Sequence, residues 1–238
     1  MSGHSKWKTI KHKKAAADAK RGKAFTKLIK EITVCAKQSG GDPDANPRLR
    51  TLLEKAKEVN MPIENAQRAI KKGTGELPGQ SYESQTYEGY APCGVAVMVE
   101  TLSDNKNRTV AELRHAFSKH GGSLGENGSV AWMFKHMGVV RCDATNATED
   151  DFLEMLLDFN IESISIQDNE AEIVVDPKQL EMVRKAVANT GRKVTEAQLE
   201  WVATTKTELT EQQAEQVLEF LDAIEELDDV QDVYTTME

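Results

Sequence analysis

The chain changes its hydrophobic period once, and the change falls on a glycine-rich break. Up to residue 72, apolar side chains recur every three or four positions, the spacing that gathers them on one helix face. Past residue 79 they come in short branched runs that suit strands. Between the two lies Gly73-Thr74-Gly75-Glu76-Leu77-Pro78-Gly79, which reads as a linker. A chain patterned this way folds neither as one all-helical body nor as one all-strand body. Its 238 residues leave room for two domains or three small ones.

In the first segment, Phe25, Leu28, Ile29, Ile32 and Ala36 predict a helix over about 24–38, stopped by Gly40-Gly41-Asp42-Pro43. Asn46 suits an N-cap, with Pro47 at the first helical position. Leu49, Leu52, Leu53, Ala56 and Val59 then form the next apolar stripe. After Met61-Pro62 a short helix from Ile63 to Lys72 ends at Gly73, with Lys71 and Lys72 well placed for its dipole.

Beyond the linker, Val95–Val99 reads as a buried strand and 108–119 as a helix with Val110, Leu113 and Phe117 inward. Val130–Phe134 is strand material. Residues 138–202 follow their own order: strand 139–142, helix 150–159, strands 161–166 and 171–175, helix 178–189, strand 194–201. That βαββαβ order is ferredoxin-like. In the last strand Ala197, Leu199 and Trp201 alternate with Glu196, Gln198 and Glu200, predicting an apolar face inward. Thr210 and Gln213 form a capping box for a helix carrying Val217, Leu218, Leu221, Ile224 and Leu227. Val230–Tyr234 closes the chain as a strand. One helix and one strand cannot make a domain, so they are expected to complete the middle unit. The expected class is α+β: a basic helical domain (1–80), an α+β domain (81–137 plus 203–238), and an inserted α+β domain (138–202), the two α+β domains being ferredoxin-like.

Charge divides along the same line. Residues 1–80 hold 18 basic and 8 acidic residues, net +10, while 81–238 hold 12 and 31, net −19. From Thr207 onward there are eleven acidic residues and no basic ones. A basic head on an acidic body points to nucleic-acid contact at the head and solubility in the rest. The expected contact residues are Lys6, Trp7, Lys11, Lys13, Lys14, Lys20, Arg21, Lys23 and Lys27. The ammoniums would meet phosphates, which makes binding salt-dependent and tolerant of sequence. Trp7, set among cations, can stack on an unpaired base or anchor the tail to the helical region; the residues leave both open.

Catalytic patterns are weak. Gly121-Gly122-Ser123-Leu124-Gly125 matches the G-x-S-x-G elbow, but that motif needs a strand before it and a helix after it, and here the order is inverted. The Gly73, Gly75, Gly79 set misses dinucleotide spacing, and no phosphate-binding loop is present. His4, His12, His115, His120 and His136 lack ligand spacing and no C-x-x-C occurs, so no metal or cofactor is expected. Cys35, Cys93 and Cys142 are odd in number and far apart, which argues for a reducing compartment. No apolar run approaches the ~18 residues of a membrane span, and the opening residues lack the apolar stretch of a secretory signal. The expected location is cytoplasmic, with no membrane partner and no small-molecule substrate.

Several motifs resemble the YebC/PmpR family. They are Gly3-His4-Ser5-Lys6-Trp7, Ile10-Lys11-His12-Lys13-Lys14, Ala19-Lys20-Arg21-Gly22-Lys23 with Phe25-Thr26-Lys27-Leu28-Ile29, and Asn46-Pro47-Arg48-Leu49-Arg50. Arg68-Ala69-Ile70-Lys71-Lys72-Gly73-Thr74-Gly75, Tyr87-Glu88-Gly89-Tyr90, Asn107-Arg108-Thr109-Val110-Ala111-Glu112 and Gly125-x-x-Gly128-Ser129-Val130 continue the set. The match is dense over 2–135 and looser beyond. The resemblance implies a three-domain, non-enzymatic protein that regulates gene expression. It implies promoter-DNA binding in one reading, and in another an association with the ribosome that relieves stalling on proline-rich stretches. No helix-turn-helix, zinc finger or basic zipper is evident. A head that holds phosphates without reading base edges suits structured RNA at least as well as duplex DNA. The preferred reading is therefore a translation factor on ribosomal RNA. The alternatives are a transcriptional regulator at promoter DNA and a protein-interaction module.

Overall fold

The computed structural model describes residues 19–237, which form two compact units: 19–129 with 209–233, and 130–208 with 234–237. The class is α+β, a helical N-terminal region followed by two α+β sheet domains.

The first unit opens with three helices, α1 (Ala19–Ser39), α2 (Pro47–Glu58) and α3 (Ile63–Gly73). Leu28, Ile32, Cys35, Leu49, Leu52, Ala56, Met61, Ala66 and Ala69 close their shared core. Asn46 caps α2 as expected: its side chain accepts from the Leu49 N–H and donates to the Gly40 carbonyl. Helix α1 starts five residues before the sequence-expected start at 24. Its first turn, Ala19-Lys20-Arg21-Gly22, carries no apolar stripe, so periodicity could not reveal it.

The sheet of this unit is built from β1 (Glu83–Tyr90), β2 (Ala96–Ser103), β3 (Ser123–Leu124) and β8 (Val230–Thr235), in the order β3-β1-β2-β8. Two helices belong to it, α4 (Lys106–Lys119) and α7 (Glu211–Glu225). The β1–β2 hairpin pairs Tyr87 with Val99, and its bend at Pro92–Gly94 takes Cys93 to φ 62°. Strand β1 went unseen in the sequence, because Glu83-Ser84-Gln85-Thr86 shows no apolar alternation. Phe117 of α4 meets Phe220 of α7 edge-on, ring centroids 4.9 Å apart. Gly89 is required here: a Cβ would strike the Phe117 ring and the Ser123 carbonyl, both 2.6 Å away. Ser123 therefore sits on a two-residue strand after a helix.

The second unit holds β4 (Phe134–Asp143), α5 (Glu149–Met155), β5 (Ile161–Gln167), β6 (Glu170–Val175), α6 (Leu180–Asn189) and β7 (Val194–Ala203). The order β5-β6-β4-β7, all neighbours antiparallel, is the ferredoxin-like layout. Strand β4 runs unbroken through the join expected at 137/138, and residues 131–133 form a 3-10 turn in place of the expected strand. Val140, Cys142, Phe152, Leu156, Ile173, Val183 and Val187 make the core between the helices and one sheet face. The other sheet domain follows a different path. It opens on a hairpin and receives β8 only after all of β4–β7 is laid down.

The expected inward face of β7 holds at Ala197, which packs against this core, and fails beyond it. Leu199 is 44% exposed while Glu200 is 1% exposed. The reason lies across the sheet. Arg141 on β4 is opposite Glu172 of β6 and Glu196 of β7. Its guanidinium grips Glu200 through both nitrogens at 2.6 and 2.9 Å, and meets Glu196 and Glu172 at 2.7 Å each. A bidentate arginine pair stabilises a buried carboxylate that hydrophobicity alone would place outside.

Candidate nucleic-acid interface

The nine sequence-expected contact residues fall into three groups. Lys6, Trp7, Lys11, Lys13 and Lys14 lie outside the described residues. Lys20 and Arg21 lie in the first turn of α1. Lys23 and Lys27 are placed in full, and both are engaged within the chain.

Lys23, Lys27 and Lys30 stand four and three residues apart along α1, so they share one helix face. That face meets the C-terminal end of α7. The Lys23 ammonium donates to the Glu226 carbonyl at 3.0 Å, Lys27 to the Glu225 carbonyl at 3.1 Å, and Lys30 to the Asp228 carbonyl at 2.8 Å. The last carbonyls of a helix lack intrahelical donors and carry the negative end of its dipole. Two ammoniums therefore cap α7 where positive charge is most favourable, and Lys30 holds the turn that follows it. Lysines that the sequence offers as phosphate ligands here tie the helical region to the last helix.

Asp229 is the centre of this tie, and sequence reasoning missed it. Its carboxylate, only 4% exposed, accepts from Lys30 at 2.7 Å, Thr109 at 2.8 Å, Arg108 at 2.9 Å and Ser103 at 3.0 Å. Burial opposes ionisation, but the hydrogen bonds from Lys30, Arg108, Thr109 and Ser103 outweigh it and hold the carboxyl far below the usual carboxylate range. Lys30 also lies over the Tyr82 ring, 5.7 Å from its centroid. The only sequence signal was the Asn107-Arg108-Thr109 motif, which gives no hint of its partner 120 residues on.

Beside the tie lies Glu31, whose carboxyl is pushed up to about 7. Burial is the main cause and Asp232 adds to it, while Lys55, Arg48 and Lys27 pull the other way. Two further motifs meet in the same unit. Glu88 accepts from the Gly128 N–H at 2.6 Å, and its own carbonyl takes the Gly125 N–H at 2.8 Å. The Tyr90 hydroxyl donates to the Ser129 carbonyl at 3.3 Å. The strand motif and the glycine loop thus form one structural piece.

The folded helical region also presents cations outside the expected set. Arg48, Lys57, Arg68, Lys71 and Lys72 are all exposed. Gly73 fixes α3, and with it Lys71 and Lys72: a Cβ there would run into the Thr33 carbonyl and the Ala36 methyl of α1. Among the described residues no group of three or more His, Cys, Asp or Glu is placed to hold a metal ion. None of the described helices is long and apolar enough to cross a membrane.

Comparison with known proteins covers nearly the whole chain. The model described as the TACO1/YebC protein N-terminal domain matches residues 5–76, and that of the TACO1/YebC second and third domain matches 82–237. A "Probable transcriptional regulatory protein" of Desulfosudis oleivorans is 51% identical over 99% of this chain and 96% of its own length. One bearing the same description in Chlorobaculum tepidum is 50% identical over 100% and 95%. The crystal structure of a conserved hypothetical protein from Aquifex aeolicus superposes with a TM-score of 0.86 at 45% identity, covering 96% of this chain and 95% of that one.

Proposed function

Because the chain belongs to the TACO1/YebC family, we propose that it is a non-enzymatic regulator of gene expression that works by holding a nucleic-acid backbone with its basic head. The observation that carries this reading is the segregation of charge, +10 over residues 1–80 against −19 over the remainder. A head with a strong net positive charge concentrates polyanions near it, and an acidic body discourages contact elsewhere. Lys6, Lys11, Lys13, Lys14, Lys20 and Arg21 are the phosphate ligands in this reading, with Trp7 stacking on an unpaired base. Lys23 and Lys27 act one step back, orienting α1 on the end of α7. The target is structured ribosomal RNA in the cytoplasm, and the ribosome is the partner, because no element suited to reading base edges accompanies the cations. The acidic domains then serve as a shaped spacer that reaches tRNA or protein.

A second reading is transcriptional regulation at promoter DNA. The names of the relatives favour it. In-cell ultraviolet crosslinking separates the two, with sequencing of both RNA and DNA from wild type and a Lys11, Lys13, Lys14 charge reversal. Focused ribosomal-RNA crosslinks that vanish in the reversal support the translation reading. Crosslinks concentrated at promoters transfer the case to transcription, and enrichment of neither sinks both.

A further inference from the structure

We propose that the exposed face of α3 carrying Arg68, Lys71 and Lys72 is a second phosphate-binding row, built on the folded part of the helical region. The inference rests on the nucleic-acid reading above and adds a site outside the nine expected contact residues.

Residues at i, i+3 and i+4 are neighbours on one helix face, so the three cations form a cluster. All three are exposed. Among the described residues, none of the three side chains makes a hydrogen bond or ion pair. Several other cations of the unit are already engaged. Lys23, Lys27 and Lys30 are spent on the end of α7, Lys37 donates to Ser81 at 2.7 Å, and Arg50 donates to the Pro43 and Asp44 carbonyls. Arg108 is held by Asp104 and Asp229. Neither neighbouring carboxylate pairs with the cluster. Glu64 stands one turn before Arg68 without pairing to it, and Glu76 accepts from the Thr74 hydroxyl at 2.9 Å.

The row is held rigidly. Ala66 and Ala69 are buried on the opposite face of α3, and Gly73 sits against the backbone of α1. Cations on a fixed helix lose less freedom on meeting a phosphate chain than the same cations on a loop. Dipole compensation accounts for Lys71 and Lys72 in the last turn of α3, but it does not account for Arg68 one turn earlier. The class of ligand is a phosphodiester backbone, since three clustered cations on one helix face match the charge of successive phosphates.

The test is a fluorescence-anisotropy titration across salt, using the full chain with an RNA hairpin and a DNA duplex as probes. Four proteins are compared: wild type, the reversal R68E/K71E/K72E, the head reversal K11E/K13E/K14E, and K119E as a control on an exposed lysine of α4. Three lost phosphate contacts should lower the slope of log affinity against log salt by about two to three and weaken binding roughly ten- to hundredfold at ~0.1 M salt. K119E should keep the wild-type slope. An α3 reversal that matches wild type while the head reversal loses slope overturns this site and leaves the head reading standing. A K119E loss of about one third of that in the α3 reversal, in proportion to the charge changed, reduces the effect to net charge and overturns the site as well. A wild type that binds neither probe overturns both readings. Should the reversal lower the helical circular-dichroism signal, R68Q/K71Q/K72Q replaces it at half the charge change: a reduced slope supports the site and a wild-type slope overturns it. The probe bound more tightly identifies RNA or DNA as the source of the backbone.

Discussion

Replacing Asp229 with alanine tests the tie between the helical region and the sheet of the first unit. The carboxylate accepts four hydrogen bonds and faces the buried ammonium of Lys30. Removing one partner of a buried ion pair leaves the other charge uncompensated, at a cost of about 3–5 kcal/mol. Part of that loss is recovered here. Lys30 keeps the Asp228 carbonyl at 2.8 Å and the Tyr82 ring, and the Ser103 and Thr109 hydroxyls stay 2.7 Å apart and bond each other. The expected loss is therefore near the lower limit, about 3 kcal/mol. For a unit of this size one kcal/mol moves the melting point by roughly 2–4 °C. The assay is thermal and urea unfolding followed by far-ultraviolet circular dichroism, which reads the helices. The double variant D229A/K30M should regain stability relative to D229A, because it no longer buries a lone ammonium. A loss below about 1 kcal/mol, or no recovery in the double variant, refutes the central role given to Asp229. Because the folded-state pKa of Asp229 is depressed, its contribution is present above about pH 4 and fades as pH falls toward its folded value. The difference between wild type and Asp229→Asn should shrink along that descent.

Glu31 carries the opposite sign. Its folded pKa of about 7 lies above the unfolded value, so the folded state holds a proton that the unfolded state gives up. Wild-type stability should fall between about pH 4.5 and pH 7, and Glu31→Gln should remove that slope and add about 1–3 kcal/mol at pH 8; an unchanged difference between the two proteins from pH 5 to 8 sinks the idea. Gly73→Ala should destabilise the helical region by about 1–3 kcal/mol despite alanine's higher helix propensity, because the added methyl meets the backbone of α1; a higher urea midpoint refutes the close packing. Arg141→Met should cost about 3–5 kcal/mol by stranding Glu172 and Glu200, while R141M/E172Q/E200Q should cost less, as read by the intrinsic fluorescence of Trp132 and Trp201 during unfolding. Equal losses in the two proteins would show that the carboxylate charges do not matter.

The elements legible in the sequence were those whose physics is local. The Asn46-Pro47 start of α2, the capping box at Thr210, the glycine stop after Lys72 and the βαββαβ order of the second sheet all follow from caps, breakers and period. Strand β1 was missed because its alternation is polar on both faces, and the first turn of α1 because it carries no apolar stripe. The side chains that define the candidate interface depended on pairs far apart in the chain. Charge counting identified a basic head, yet it could not tell Lys23 and Lys27, which cap a helix some 200 residues later, from Arg68, Lys71 and Lys72, whose side chains make no such contacts. The same holds for Glu200, which hydrophobicity placed in solvent and a cross-strand arginine placed inside. Sequence by itself determined where most helices and strands form and which end of the chain is positive, because propensity and net charge are sums over nearby residues. Tertiary structure decided which of those charges are spent holding the fold together, because an ion pair or a capped carbonyl exists only where folding brings its two partners within hydrogen-bond distance.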